Sequence, residues 1–377
     1  MNTEWNVTYL SKICEIKTGK HDANHAISNG KYRFYTCASD FLKCDTKSFS
    51  GESVIVPGNG DIGLVFYYNG DFDAYQRTYV LQNITIDAKY LYYHMLLNWR
   101  TRNKNKQFGS TIRYVRMSNF SNYVISYPSL SEQQRIVDKI EELFSKLDKG
   151  VEELNKIKDQ LKIYRQAVLK EAFEGIETYD YISSAFDVSG GLTKSSKRNS
   201  YPLKYNYIRV ANVLYNAINT AEIKNIGVTT DEVEKTLLKK NDLLFVEGNG
   251  SKEQIGRVAI WNGEIENCLH QNHIIKARPL GNILSKFALY FLMSSFGRNQ
   301  IIKIASSTSG LYTLSTNKIK NLFIPFADKL QQEETICYIE YRLSLCDKLE
   351  QTVNESLQKA ESLRQSILKQ AFEGKLT

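Results

Sequence analysis

Proline is scarce in this chain of 377 residues: only Pro57, Pro128, Pro202, Pro279 and Pro325 occur, and no two are adjacent. An Asn-Pro-Pro-Tyr or Asn-Pro-Pro-Phe sequence is therefore absent, and with it the motif by which DNA amino-methyltransferases hold a flipped base. No GxxxxGK[ST] phosphate loop occurs, which argues against an ATP-driven motor. No Pro-Asp…Asp/Glu-x-Lys nuclease pattern occurs either. Gly58-x-Gly60-x-x-Gly63 matches a dinucleotide fingerprint in form, but no βαβ unit follows it and a hairpin turn is expected. The six cysteines (Cys14, Cys37, Cys44, Cys268, Cys337, Cys346) include no Cys-x-x-Cys pair and read as reduced structural thiols. No apolar run reaches 18 residues, and MNTEWNVTYL lacks the basic-then-apolar layout of a leader, so a cytoplasmic protein without membrane contact is expected. Cys268-x-His270-x-x-His273 holds ligand-type residues, but strand alternation sends the two histidines to opposite faces, and no metal is expected there. His21, His25 and His94 have no nucleophile or carboxylate constellation near them in sequence. No catalytic site is expected in this chain.

A duplication is plainly present. Arg165-Gln-Ala-Val-Leu-Lys-Glu-Ala-Phe-Glu-Gly175 returns as Arg364-Gln-Ser-Ile-Leu-Lys-Gln-Ala-Phe-Glu-Gly374, shifted by 199 residues. Ser121-Asn-Tyr-Val-Ile125 returns as Lys320-Asn-Leu-Phe-Ile324 at the same shift. Such repetition marks an internal repeat of whole structural units. The expected layout is a mixed α/β module over 1–130, a helical spacer over 131–177, a second module over 178–327 and a second spacer over 328–377. The fold class is α+β. Strand-like runs at Ser53–Pro57 and Leu64–Tyr68 find counterparts at Asn241–Val246 and Ile255–Trp261, each pair flanking a Gly-Asn-Gly turn (58–60 and 248–250). Residues 88–99 and 285–296 have helical spacing.

The spacers carry heptads. Ile140, Leu147, Leu154, Leu161 and Val168 recur every seven residues, with Ile136, Leu143, Ile157 and Tyr164 between them and a break at Gly150. The second copy offers Cys346, Leu349, Val353, Ala360, Leu363 and Ile367. Ser131-x-x-Gln134 and Asp328-x-x-Gln331 supply expected helix caps. Each helix, roughly 40 residues and about 60 Å long, is expected to pair with the other. The net charge of +8 divides as +5 over 1–130, −2 over 131–177, +6 over 178–328 and −1 over 329–377. The positive excess lies in the modules, which suggests a polyanionic partner.

In this arrangement the chain resembles the specificity (S) subunit of a type I restriction–modification enzyme. The resemblance rests on Trp5 with Leu10–Gly19, Pro128-Ser-Leu-Ser-Glu-Gln-Gln-Arg-Ile-Val137, Tyr207-Ile-Arg-Val-Ala-Asn212, Asp242-Leu-Leu-Phe245 with Gly248 and Gly250, and the two Ala-Phe-Glu-Gly endings. The second spacer departs from the pattern, beginning Lys329-Leu-Gln-Gln-Glu-Glu334 without the Glu-Gln-Gln-Arg of the first. The resemblance implies two target recognition domains, each reading half of a split site on double-stranded DNA. The helices would lie antiparallel as a coiled coil, fix the distance between half-sites and dock two methyltransferase (M) subunits. S-adenosylmethionine would come with those subunits, and ATP and Mg with restriction/motor (R) subunits; this chain would carry no cofactor and no catalysis. A specificity subunit of a methylation-only or type II-like complex, and a coiled-coil adaptor that binds no DNA, are the alternatives.

Phosphate and base contacts require Lys, Arg, Asn, Gln or hydroxyl side chains. In the first module the candidates are Lys17, Lys20, Arg77, Arg100, Arg102, Lys104, Lys106, Arg113 and Arg116, the last two within 110–116. In the second they are Lys194, Lys197, Arg198, Arg209, Asn212, Asn249, Lys252, Ser307 (within 306–309) and Tyr312.

Overall fold

The computed structural model describes residues 5–109, 111–308 and 310–376. Ser110 and Ser309, at the edges of two candidate DNA-contacting segments, lie outside the described residues. The first module is built on a four-stranded antiparallel sheet in the order Glu15–Thr18, Thr78–Gln82, Glu52–Pro57, Phe66–Asn69. A three-stranded sheet (Leu42–Cys44, Tyr32–Tyr35, Phe72–Ala74) covers one of its faces, with the last two strands parallel. Helices α1 (Ala88–Asn103) and α2 (Met117–Ser121) belong to the same module. Glu52–Pro57 reads as a nearly continuous apolar run because both of its faces are covered. Val54 and Val56 enter the core with α1, while Ile55 points to a separate core with Tyr35 and Phe72. The helix α1 starts at Asp87, whose carboxylate accepts from the Tyr90 N–H at 2.8 Å, and buries Tyr90, Leu91, Met95 and Trp99.

After the long helix α3 (Leu130–Glu171) the second module repeats this plan. Its four-stranded sheet runs Phe186–Ser189, Ile274–Pro279, Leu243–Val246, Val258–Ile260, and its three-stranded sheet runs Lys224–Val228, Leu203–Ile208, Cys268–His270. Leu243 and Phe245 face one core and Leu244 and Val246 another, as in the first module. Helices α4 (Thr230–Thr236), α5 (Ser285–Met293), α6 (Ser295–Ile304) and α7 (Thr316–Lys320) follow, then the long α8 (Lys329–Phe372). The expected single helix over 285–296 is thus two helices. Ser294 breaks it with an extended backbone, and its hydroxyl caps the N–H of Gly297. A Cβ at Gly297 would lie 2.4 Å from Phe291 O, so this tight corner requires glycine.

The chain divides into two compact units: residues 1–155 with 354–377, and residues 156–353. Each unit therefore holds one module, part of α3 and part of α8. Within the first unit, Ile136, Ile140 and Phe144 of α3 share a core with Ile367, Leu368 and Ala371 of α8. Within the second, Leu169 and Phe173 share a core with Ile339. Later residues of α3 meet earlier residues of α8, so the helices run antiparallel. The buried heptad positions are Ile140, Leu161 and Val168 in α3, and Ile339, Cys346, Val353, Ala360 and Ile367 in α8; Leu147 and Leu154 are half-buried.

Four expected seam residues are not in the seam. Leu349 is 55% exposed and Leu363 50% exposed, and Ile157 and Tyr164 are exposed as well. A single partner helix covers a narrow stripe, and these side chains lie beside it. Gly150, the equivalent of Leu349 at the shift of 199, is likewise exposed on its own helix, so it interrupts no packing. Nothing lies within 4 Å of a Cβ built there. Gly150→Ala is accordingly expected to raise stability by about 0.5–1 kcal/mol, read from urea denaturation of the full chain.

Each long helix is pinned at its start by a buried glutamine. Gln133 accepts from the Asp87 N–H at 2.9 Å and donates to Pro128 O; Gln332 accepts from the Leu284 N–H at 2.7 Å and donates to Ala327 O. Asp328 caps Gln331 as expected, accepting its N–H at 2.8 Å. The first cap differs: α3 begins at Leu130, which places Ser131 inside the helix.

Candidate nucleic-acid interface

In the first module Arg77 and Arg116 face one cleft. With Gly58, Gln76, Tyr79, Tyr114 and Val115 they line this cleft of about 450 Å³. Local structure builds it. Gly58 N–H donates to Arg77 O at 2.9 Å, and Val115 N–H donates to Gly58 O at 2.8 Å, so three distant segments converge. A Cβ at Gly58 would lie 2.3 Å from Arg77 O, which is why a glycine stands there. The guanidinium of Arg116 lies 4.1 Å from the centroid of the Phe108 ring and donates to the Tyr114 hydroxyl at 3.0 Å. It is a fixed cation with an aromatic floor. Arg77 is exposed at the rim.

The other first-module candidates are less free. Arg100 pairs with Asp61 at 2.9 Å and packs against Gly63, joining α1 to the turn after Glu52–Pro57. Arg102 donates to Val124 O and lies over Tyr123, and Lys17 pairs with Glu15 at 2.7 Å. Arg113 donates to Gln107 at 3.2 Å. Lys20, Lys104 and Lys106 are exposed; Arg102 and Lys106 line a second recess of about 680 Å³ with Phe108 and Asn119.

In the second module the corresponding place is occupied by other residues. Glu247 N–H donates to His273 O at 3.0 Å, and Leu314 N–H donates to Glu247 O at 2.8 Å. These bonds make Glu247 the counterpart of Gly58 and His273 the counterpart of Arg77. The Gly-Asn-Gly turns therefore match one residue out of step with the hydrogen-bond pattern, which corrects the alignment expected from sequence. His273 Nδ1 lies 3.0 Å from Glu247 Oε2. Asn249 and Tyr312 are paired in a small three-stranded sheet with Ser307, so three of the expected residues are brought together. Lys194, Lys197 and Lys252 are exposed.

Three second-module candidates are committed to the fold. Arg198, whose side chain is 11% exposed, donates to both carboxylate oxygens of Glu232 at 3.0 and 2.8 Å and to the carbonyls of Thr193 and Gly227. Asn212, 3% exposed, accepts from Arg209 N–H and donates to Asn219 O and Glu222 O, which fills its amide. Arg209 is held by Glu222 at 3.4 Å. Glu247, His273 and Gln76 were missed as site residues. The signal for them was the three-segment convergence, which only backbone hydrogen bonds reveal.

A family profile described as "Type I restriction modification DNA specificity domain" matches residues 2–162 and 181–359. The chain belongs to this family. As a specificity subunit it is 27% identical to the type I restriction enzyme EcoDI specificity subunit of Escherichia coli, over 99% of this chain and 89% of that protein. To the EcoKI specificity subunit of Escherichia coli strain K12 it is 26% identical, over 74% of this chain and 63% of that one. Solved structures share the fold. A chain from a study of assembly and conformational transition of the type I R-M system superposes with a TM-score of 0.75 at 16% identity, covering 99% of this chain and 98% of the other. The HsdS subunit of Thermoanaerobacter tengcongensis gives a TM-score of 0.56 at 15% identity, covering 100% and 98%. Among the described residues no helix is long and apolar enough to cross a membrane.

Each module also buries one histidine. His94 and His270 are both held down to about 3 by burial, with Arg102 adding to the effect on the first and Lys276 on the second. Both are neutral in the folded chain, whereas the unfolded chain takes up protons at ordinary imidazole values. Stability is thus fully present above about pH 6.5 and falls as the pH drops toward 3, by up to about 1.4 kcal/mol per pH unit for each histidine. Urea midpoints measured at pH 7 and pH 5 are expected to decrease accordingly.

Proposed function

We propose that this specificity subunit reads a bipartite sequence on double-stranded DNA and supplies no catalysis itself. The first module contacts one half-site through the cleft carrying Arg77 and Arg116. The second contacts the other through the face carrying Asn249, Lys252, Ser307 and Tyr312. The paired helices α3 and α8 set the unread gap. Two methyltransferase subunits dock on the duplicated halves and bring S-adenosylmethionine; restriction subunits bring ATP and Mg. The cleft counterparts differ in charge, Arg77 in one module and His273 with Glu247 in the other, which favours two unlike half-sites.

One observation carries this reading: the duplication reaches the level of paired side chains. Arg165 binds Asp347 at 2.8 Å, and Arg364 binds Asp148. The first pair becomes the second when each α3 residue is shifted forward by 199 and each α8 residue back by 199. Duplicated halves related in this way offer two equivalent surfaces, which suits two identical partner subunits. Sequencing of modified bases in a genome carrying this chain with its methyltransferase tests the proposal. An asymmetric split motif with adenine modified in each half is expected. A continuous motif, or transfer of labelled methyl groups to DNA by the purified chain alone, would overturn it.

A further inference from the structure

Asp73 lies on the strand Phe72–Ala74 of the first module and is 0% exposed. Its Oδ1 accepts from the Ala74 N–H at 2.8 Å, and its Oδ2 accepts from the Thr46 hydroxyl at 2.6 Å. Both donors are neutral, and a buried carboxylate requires an opposing charge. Two imidazoles stand beside it. His21 Nε2 is 3.4 Å from Asp73 Oδ2, and His25 stacks on His21 with ring centroids 3.8 Å apart and planes within 7°. His25 Nε2 is 2.7 Å from Thr46 Oγ1. The ligand atoms of the three side chains lie within 4.8 Å of one another. A divalent cation would oppose the carboxylate and take an imidazole nitrogen from each ring.

We propose that His21, His25 and Asp73 bind a zinc ion that fastens the segment 19–25 to the strand ahead of the DNA-reading cleft. Two imidazole nitrogens and one carboxylate oxygen form a donor set suited to zinc, with water completing the tetrahedron. The segment is already laid closely on that strand. A Cβ at Gly19 would lie 1.9 Å from Ala74 O, so the backbones touch where glycine permits it. His21 O accepts from the Gln76 N–H at 2.9 Å, and Asp22 accepts from the Gln76 side chain at 2.6 Å. Arg77 comes next in the chain. The ion holds in place the turn that presents this arginine.

The second module shows why the first needs such a fastening. There Gly191 makes the equivalent close approach, to His270 O, and the segment after it is secured by Arg198 on Glu232. Counted from the two glycines, the place of Arg198 is taken in the first module by Ala26, while His21 and His25 stand where the second has Thr193 and Lys197. The counterpart of Asp73, by the parallel strand pairing, is Leu269. One module uses an arginine–carboxylate clamp; the other has the makings of a metal clamp at the same place.

The test uses the full chain, dialysed against a chelator and titrated with zinc against a chromophoric competitor. One zinc ion per chain is expected, with a rise in the thermal midpoint. His21→Gln and His25→Gln should each weaken binding by more than the about 10- to 100-fold that loss of a ligand's outer-shell partner causes, and abolish that rise. Cobalt in the wild-type chain should give visible tetrahedral bands without the near-ultraviolet band of thiolate ligation, a readout that needs no variant to fold. Failure of the wild-type chain to take up zinc, wild-type affinity in both variants, or a thiolate band would each overturn the proposal. DNA binding is not part of the measurement, so the outcome is independent of the half-site reading.

Discussion

Replacing Arg77 and Arg116 together by alanine should weaken binding of the assembled methyltransferase complex to its DNA by on the order of 100-fold or more, with about 1–3 kcal/mol lost per arginine. The two side chains line one cleft, and Arg116 is oriented there by the Phe108 ring and the Tyr114 hydroxyl. A fixed guanidinium loses little freedom on binding, which is why its removal costs more than that of a mobile surface lysine. Competition binding against DNA altered in either half-site separates the roles. If an arginine reads a base, its alanine variant loses discrimination in one half-site only. If it holds phosphate, affinity falls evenly across sequences and the salt slope drops by about one per contact. Arg198→Ala is the contrast. Its donors are spent on Glu232 and two carbonyls, so it should lower the thermal midpoint and leave the salt slope unchanged. Wild-type affinity in the Arg77/Arg116 variant would remove the cleft from the interface.

The duplication and the pairing of the long helices were legible because both are written in spacing. A shift of 199 is visible without knowing any contact, and a heptad fixes which residues share a helix face. What covers that face is not written there. Leu349 and Leu363 satisfy the apolar pattern and are exposed, since one partner helix shields a stripe narrower than the pattern. The DNA-contact candidates fail for a related reason. A cluster such as Lys194 to Asn199 identifies donors, but two of the three acceptor residues that consume Arg198 lie 29 and 34 residues further on. Asn212 is likewise consumed by carbonyls at 219 and 222. The carboxylate that meets His21 is not its neighbour Asp22 but Asp73, brought beside it by the parallel bridge of His21 with Tyr75. The Gly-Asn-Gly turns were matched by residue type, and the hydrogen bonds place them one residue apart.

Deleting one heptad from each long helix, residues 153–159 of α3 together with 352–358 of α8, should shorten the unread gap and leave both half-sites as they were. Seven residues of helix span about 10 Å at 1.5 Å per residue, or about three base pairs at ~3.4 Å each. The deletions are equivalent under the shift of 199, and a whole heptad keeps the remaining buried positions in phase. Both Arg165 with Asp347 and Arg364 with Asp148 lie outside the deleted residues, so each unit keeps its ion pair. Removing the heptad from α3 alone is a different matter. It shifts one helix against the other by about two turns, so that both ion pairs and both shared cores cannot form together. That variant should lose methylation altogether, while the double deletion keeps it on a site with a shorter gap. Mapping modified adenines for the three chains, each expressed with the methyltransferase, reads both effects at once. An unchanged gap in the double deletion would show that the helices do not measure the site, and altered half-sites would show that they read bases.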